Sequence, residues 1–272
     1  MPDHSENNTP TPGLLRRLLD MSPDVTGKTL TVAVLLCLVA SVGVSSVAVM
    51  LRPMQEANKL RDRQINILQV AGQYEPDTDI DAAFAAFEPQ VLELATGAFS
   101  TEIDPATFDD RAALQDPELT TAMSVDPASI GRLPKYRTIY LLRDANSNID
   151  KVILPIHGYG LWSTLYGYVA VQADGNEISG LQFYEHGETP GLGAEVDNPN
   201  WKALWRGKKI TDATGEITIT VAKTAPAAGT DYHVDSLSGA TLTSVGVDNL
   251  VRFWLGDDGY GPFLDTLRKE TL

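Results

Sequence analysis

Asp235-Ser236-Leu237-Ser238-Gly239-Ala240-Thr241-Leu242-Thr243-Ser244 sets five hydroxyl side chains directly in front of an amphipathic segment. Behind it, Val247, Leu250, Val251, Trp254 and Leu255 recur at i, i+3, i+4, i+7 and i+8, the spacing of one helical face. The spacing predicts a helix that starts near Thr241–Ser244. Its end is expected at Gly256, a residue suited to the left-handed closing position, with Asp257-Asp258-Gly259 continuing as a turn. The hydroxyls then fall on the first turn, where backbone N–H groups lack intrahelical partners and the macrodipole adds partial positive charge. A phosphate is favoured at such a place. Gly239 and Ala240 are small enough to let it come close to the main chain. On composition alone, the same hydroxyls read more readily as helix caps.

The segment Asp235-Ser236-Leu237-Ser238-Gly239-Ala240-Thr241 resembles the flavinylation motif Asp-x-x-Ser/Thr-Gly-Ala-Thr of the FMN-binding domain family. The resemblance implies that a dedicated flavin transferase joins FMN through its phosphate to the hydroxyl of Thr241. Asp235, Ser238, Gly239 and Ala240 complete that cofactor-binding segment. Asp235 is expected either to position the incoming flavin group or to serve as an Asx-turn residue.

Two further stretches resemble the same family. His186-Gly187-Glu188-Thr189-Pro190-Gly191-Leu192-Gly193 is similar to the segment that lies along the bound flavin, and Ile156-His157-Gly158-Tyr159-Gly160-Leu161-Trp162 to the strand and turn before it. Glu188 and Thr189 are expected to hydrogen-bond the flavin and Leu192 to cover it. Trp162 is expected to line the pocket or to sit in the core. With the single N-terminal anchor, nearly the whole chain resembles the C-subunit family of sodium-translocating NADH:quinone reductases.

That resemblance implies a covalent-FMN electron relay, not catalytic on its own. It would serve a membrane complex that oxidises NADH, reduces ubiquinone and exports sodium ions. The partners implied are the other subunits of that complex and, during maturation, the flavin transferase. Two alternatives stay open: the G-subunit of the Rnf ferredoxin:NAD oxidoreductase, and an anchored interaction module without cofactor. No G-x-G-x-x-G fingerprint follows a strand, which fits a relay rather than an NADH-binding subunit.

A length of 272 residues, 43% of them hydrophobic, suits one sizeable domain or two small ones. The formal net charge of −15 argues against a nucleic-acid partner, which would need a basic surface. The lone Cys37 rules out an intrachain disulfide. His4, His157, His186 and His233 show no metal-ligand spacing, so no metal site is expected.

Residues 1–28 form the N-terminal part: a polar, proline-broken tail through Pro12, then Leu14–Met21, a short amphipathic turn suited to a membrane surface. Leu30–Leu51 runs 22 residues without a charge, enough to cross about 30 Å of hydrocarbon as a helix. Its length and its Val47-Ala48-Val49-Met50-Leu51-Arg52 end favour a retained anchor, drawn over 29–51, over a cleaved signal peptide. Arg16, Arg17 and Lys28 precede it, and Arg52, Lys59, Arg61 and Arg63 follow, so flanking charge slightly disfavours an exported domain, although large domains translocate despite such flanks. The resemblance implies a single pass through a bacterial inner membrane, with the flavin domain on the periplasmic side.

Residues 52–135 read as a helical connecting region. Pro53–Val70 is a helix leaving the membrane, and Ile80–Leu94 a second helix that Pro89 interrupts or restarts. Further helical turns are expected over 106–114. From about Tyr136 to the end, the FMN-binding domain, β-branched and aromatic runs take over: 137–142, 150–155, 165–173, 178–185 and 216–222. The third and fourth of these form a hairpin through Ala173-Asp174-Gly175-Asn176. Helices begin at Leu192–Val196, hold Trp201 and Trp205 at i and i+4, and end with the one at Thr241. The fold class expected is α+β, with one N-terminal transmembrane helix, a helical segment and a mainly antiparallel sheet.

Overall fold

A computed structural model describes residues 26–225 and 229–271. The tail and Leu14–Met21 lie outside the described residues. The chain divides into two compact units, 1–60 and 61–272. One helix, α1 (Thr26–Ala71), runs through the division with Pro53 inside it. In its apolar stretch, side chains such as Leu36, Val39 and Val49 are exposed on every side, as a membrane-spanning helix requires. Within the second unit the same helix is amphipathic, burying Ile67, Leu68, Val70 and Ala71.

A seven-stranded sheet forms the frame of the second unit, in the order β2-β1-β5-β6-β7-β8-β9, antiparallel at every pairing. Its strands are β1 (Phe87–Glu93), β2 (Ala98–Phe99), β5 (Tyr136–Arg143), β6 (Ile149–Tyr159), β7 (Thr164–Gln172), β8 (Glu177–Glu185) and β9 (Lys208–Lys209). The hairpin expected at Ala173–Asn176 joins β7 and β8. Apolar side chains alternate between two cores. Val152, Leu154 and Ile156 of β6 face a core shared with α5 (Thr241–Leu255) and α6 (Gly261–Thr271). Ile153, between them, joins Tyr140, Tyr168 and the end of α1 on the other face. With both faces covered, β6 is buried without a break from Val152 to Gly158, which is why its sequence reads as a continuous apolar run.

The sequence expectations need correction in five places. The second helix covers only α2 (Ile80–Phe84), capped by Asp79, whose carboxylate accepts the Ala82 N–H at 3.2 Å. The remainder is strand β1, paired to β5 from Phe87↔Leu142 to Glu93↔Tyr136. Pro89 is tolerated because β2 covers only Leu92 and Glu93, leaving that stretch at a sheet edge. Second, the region 52–135 is not uniformly helical. Besides α2 and α3 (Asp110–Ala113) it holds β1, β2 and the small antiparallel pair β3 (Thr120–Ala122) and β4 (Arg132–Pro134).

Third, Gly256 closes α5 in an extended conformation, φ −91° and ψ −175°, not a left-handed one. The chain turns instead through hydrogen bonds from Gly259 and Gly261 N–H to the Gly256 carbonyl, and α6 follows as the last helix. Fourth, the run at 216–222 narrows to β10 (Thr220–Ala222), which pairs in parallel with β11 (His233–Asp235). Fifth, Gly193–Asp197 is a 3-10 turn, and α4 (Pro199–Ala203) stops before Trp205. The two tryptophans still pack edge to face, 5.6 Å apart.

Candidate functional site

Strand β11 feeds a tight turn at Leu237–Ala240, closed by the Ala240 N–H to the Leu237 carbonyl at 3.2 Å. Gly239 sits at φ +75°, a conformation that costs a residue with a Cβ about 1–2 kcal/mol. Ala240, at the cap position of α5, has no side-chain oxygen to hold the first-turn N–H groups. The Ser244 hydroxyl ties turn and helix together, accepting the Leu237 N–H at 2.9 Å and donating to the Ala240 carbonyl at 3.0 Å. The hydroxyls of the run therefore divide. Thr241 is exposed, whereas Thr243 and Ser244 are buried.

Three segments distant in sequence meet at the carboxylate of Glu188. One oxygen, Oε1, accepts the N–H groups of Leu161 and Trp162, each at 3.0 Å. The other, Oε2, accepts the Thr243 hydroxyl at 2.6 Å. Two glycines make room for this carboxylate. A Cβ on Gly160 would lie 2.6 Å from Oε1, and one on Gly193 would lie 2.5 Å from both Oε2 and the Thr243 hydroxyl. Burial pushes the Glu188 carboxyl up. The Thr243 hydroxyl and the Trp162 and Leu161 N–H groups outweigh it and hold the pKa below its ordinary value. A second link between the same loops runs from the Gly187 N–H to the Ser163 hydroxyl at 2.5 Å.

Around this junction, apolar side chains stand in solvent: Trp162 is 65% exposed, Leu192 45%, Leu242 60% and Val245 48%. Trp162 is thus no core residue. Leu192 reaches over the motif turn, its Cδ2 lying 3.2 Å from where a Cβ on Gly239 would stand. Thr189 is exposed, and its carbonyl accepts the N–H groups of Leu192 and Ala194 at 3.1 Å, shaping the loop. Asp235 is exposed with His233 Nε2 at 3.0 Å, while its carbonyl accepts the Trp201 indole N–H at 2.8 Å. Ser238 is exposed beside Gly239. The structure brings Glu188 onto the helix that carries Thr241, the backbone of Trp162 onto Glu188, and Leu192 onto the motif turn.

Sequence reasoning did not single out Thr243, Gly160 and Gly193 as partners of Glu188, or Leu242 and Val245 as part of the exposed apolar surface. A signal existed for the last two: both are apolar yet lie off the Val247–Leu255 stripe. Among the described residues no group of three or more His, Cys, Asp or Glu side chains could hold a metal ion.

The FMN-binding domain model matches residues 160–256, the span that holds both the Glu188 junction and the start of α5. Relatives extend the match to nearly the whole chain. The C-subunit of the Na(+)-translocating NADH-quinone reductase from Pseudomonas aeruginosa is 47% identical over 253 residues, covering 90% of this chain and 97% of the relative. Its Yersinia pestis counterpart is 46% identical over 255 residues, with 92% and 96% covered. The crystal structure of NqrC from Shewanella oneidensis superposes with a TM-score of 0.72 at 34% identity, over 78% of this chain and 99% of that one. The chain belongs to the C-subunit family of the Na(+)-translocating NADH-quinone reductases, a membrane-anchored flavoprotein family of an oxidoreductase complex.

Proposed function

We propose that this chain is the covalent-FMN relay of a sodium-exporting NADH:ubiquinone reductase, with FMN joined through its phosphate to Thr241. The observation that carries the reading is the exposed Thr241 hydroxyl on the uncapped first turn of a 15-residue helix. The residues present fit the group. Unpaired first-turn N–H groups and the helix dipole favour a phosphate, and Trp162, Leu192, Leu242 and Val245 offer an apolar surface to a flat ring. Once bound, FMN supplies reversible redox chemistry that passes electrons between neighbouring centres.

The protein's own work in this reading is orientation. Thr241 fixes the phosphate end, Gly239 and Ala240 let it approach the main chain, and Leu192 covers the turn. In this reading Asp235, exposed at the head of the motif, meets the incoming flavin group. Glu188 holds the Trp162 turn in place through two backbone N–H groups. The resemblance supports the other reductase subunits as partners and a flavin transferase during maturation. It also supports a periplasmic location for the domain, with the apolar stretch 29–51 of α1 as a single inner-membrane span.

Mass spectrometry of the tryptic peptide Thr224–Arg252, from protein co-expressed with its flavin transferase and denatured before analysis, tests the linkage. An FMN-sized addition on Thr241 that vanishes in Thr241→Ala is expected. An unmodified wild-type peptide would refute the reading.

A further inference from the structure

Building on Thr241 as the acceptor, we propose that Glu188 is a positioning residue that decides which of the two threonines on the first turn of α5, Thr241 or Thr243, receives the flavin phosphate. Thr241 and Thr243 offer the same functional group two residues apart. At about 100° per residue they point to nearly opposite sides of α5. Selection between them is therefore selection of how α5 is rotated, and Glu188 fixes that rotation. Its Oε2 holds the Thr243 hydroxyl inward at 2.6 Å, while its Oε1 is anchored by the Leu161 and Trp162 N–H groups and cannot swing away with the threonine.

The arrangement also settles an apparent conflict of reactivity. A hydroxyl bonded to a carboxylate has a ready proton acceptor, so in the open Thr243 would be the better nucleophile. It is fully buried, with the Gly193 backbone pressed against it so closely that a Cβ there would stand 2.5 Å from its oxygen. Ser244, the third hydroxyl on the first turn of α5, is committed to the Leu237 N–H and the Ala240 carbonyl. Thr241 alone among the three is exposed, and among the described residues no hydrogen bond runs from its hydroxyl to a base.

The base must accordingly come from the transferase, and the donor must be an activated flavin pyrophosphate, a flavin dinucleotide. The Thr241 Oγ1–P bond forms as the P–O bond of the pyrophosphate breaks. The nucleoside monophosphate leaves with that electron pair, and the hydroxyl proton passes to the transferase's base.

The test uses the full chain co-expressed with its transferase and fragmentation sequencing of the Thr224–Arg252 peptide. Wild type is expected to carry the addition on Thr241 only. Thr241→Ala is expected to carry none, because Thr243 stays sealed. In the double variant Thr241→Ala/Glu188→Ala, the addition is expected to reappear on Thr243. An addition on Thr243 in the single variant, with Glu188 intact, overturns the proposal. So does a double variant that keeps the wild-type circular dichroism yet stays unmodified. The single variant leaves every buried contact untouched, so the test stands even if loss of Glu188 impairs folding. An unmodified wild-type peptide would sink the acceptor reading itself, whereas modification of Thr243 in Thr241→Ala would sink only the role of Glu188.

Discussion

Replacing Gly246 by alanine sets two opposing effects against each other at the place where α5 crosses the end of β6. Alanine inside a helix is favoured over glycine by about 1 kcal/mol, which by itself predicts stabilisation. The structure places the new methyl 2.5 Å from the Tyr159 carbonyl oxygen, 3.0 Å from the Gly160 Cα and 3.3 Å from the Gly160 oxygen. A carbon meets a carbonyl oxygen at about 3.3 Å, and every crowded atom here is backbone, with no rotamer to yield. Overpacking of this kind costs about 1–3 kcal/mol. With two peptide units to displace, the upper half of that range applies, leaving a net loss of about 1–2 kcal/mol. For a domain of this size, each kcal/mol moves Tm by about 2–4 °C. Thermal unfolding of the full chain in detergent, followed by circular dichroism, should therefore show Gly246→Ala melting several degrees below wild type. Val245→Ala, on the exposed side of the same helix, should stay within about 0.5 kcal/mol. A Gly246→Ala protein as stable as wild type would refute the reasoning, since α5 would then not be held against the β6 turn.

Ser244→Ala should cost about 1–3 kcal/mol in denaturant titration, because it strands the buried Leu237 N–H; a loss below about 0.5 kcal/mol would show that the hydroxyl is not needed to close the motif turn. Trp162→Ala should leave stability within about 0.5 kcal/mol while shifting the visible absorption of the attached flavin towards that of free FMN; an unchanged spectrum would remove Trp162 from the ring's surroundings. Acidification should lower stability in two stages. His157 is kept neutral well below its ordinary 6.5 by burial and by Arg137 and Arg111, so its contribution is present above pH 6.5 and lost as the unfolded chain takes up a proton below it, at up to about 1.4 kcal/mol per pH unit. Glu188, held below its ordinary 4.5, contributes above that pH and loses its contribution as pH falls through its folded-state pKa. His157→Gln should flatten the first stage, and an unchanged slope between pH 7 and 5 in that variant would contradict the assignment.

The central hairpins were readable because each is a β-branched run bounded by turn residues, and β5 to β8 fall within a few residues of the expected limits. Strand β1 was not. Ala82, Ala83, Ala85 and Ala86 before it favour helix, and only pairing with β5, some fifty residues on, draws Phe87–Glu93 into the sheet. The last helix carried a usable signal in Phe263, Leu264 and Leu267, but the expected helices ended with the one at Thr241, and the short Gly-Pro-led segment after the Gly256–Gly259 turn has no cap residue to mark its start. At the site, the hydroxyl run and its helix are local and could be read. The Glu188 junction joins residues 26 to 55 positions apart, and nothing in the spacing tells which of the two threonines a carboxylate so far away will hold.

Four tryptophans occur in the chain, and burial separates them sharply. Trp205 and Trp254 are fully shielded and Trp201 nearly so, while Trp162 stands in water. The protein thus carries a built-in optical reporter. The red edge of its intrinsic emission, and the part that iodide can quench, belong to Trp162 alone. Whatever comes to cover that surface, whether a flavin ring or the face of a neighbouring protein in the complex, will announce itself as a change in that one signal, with no label attached.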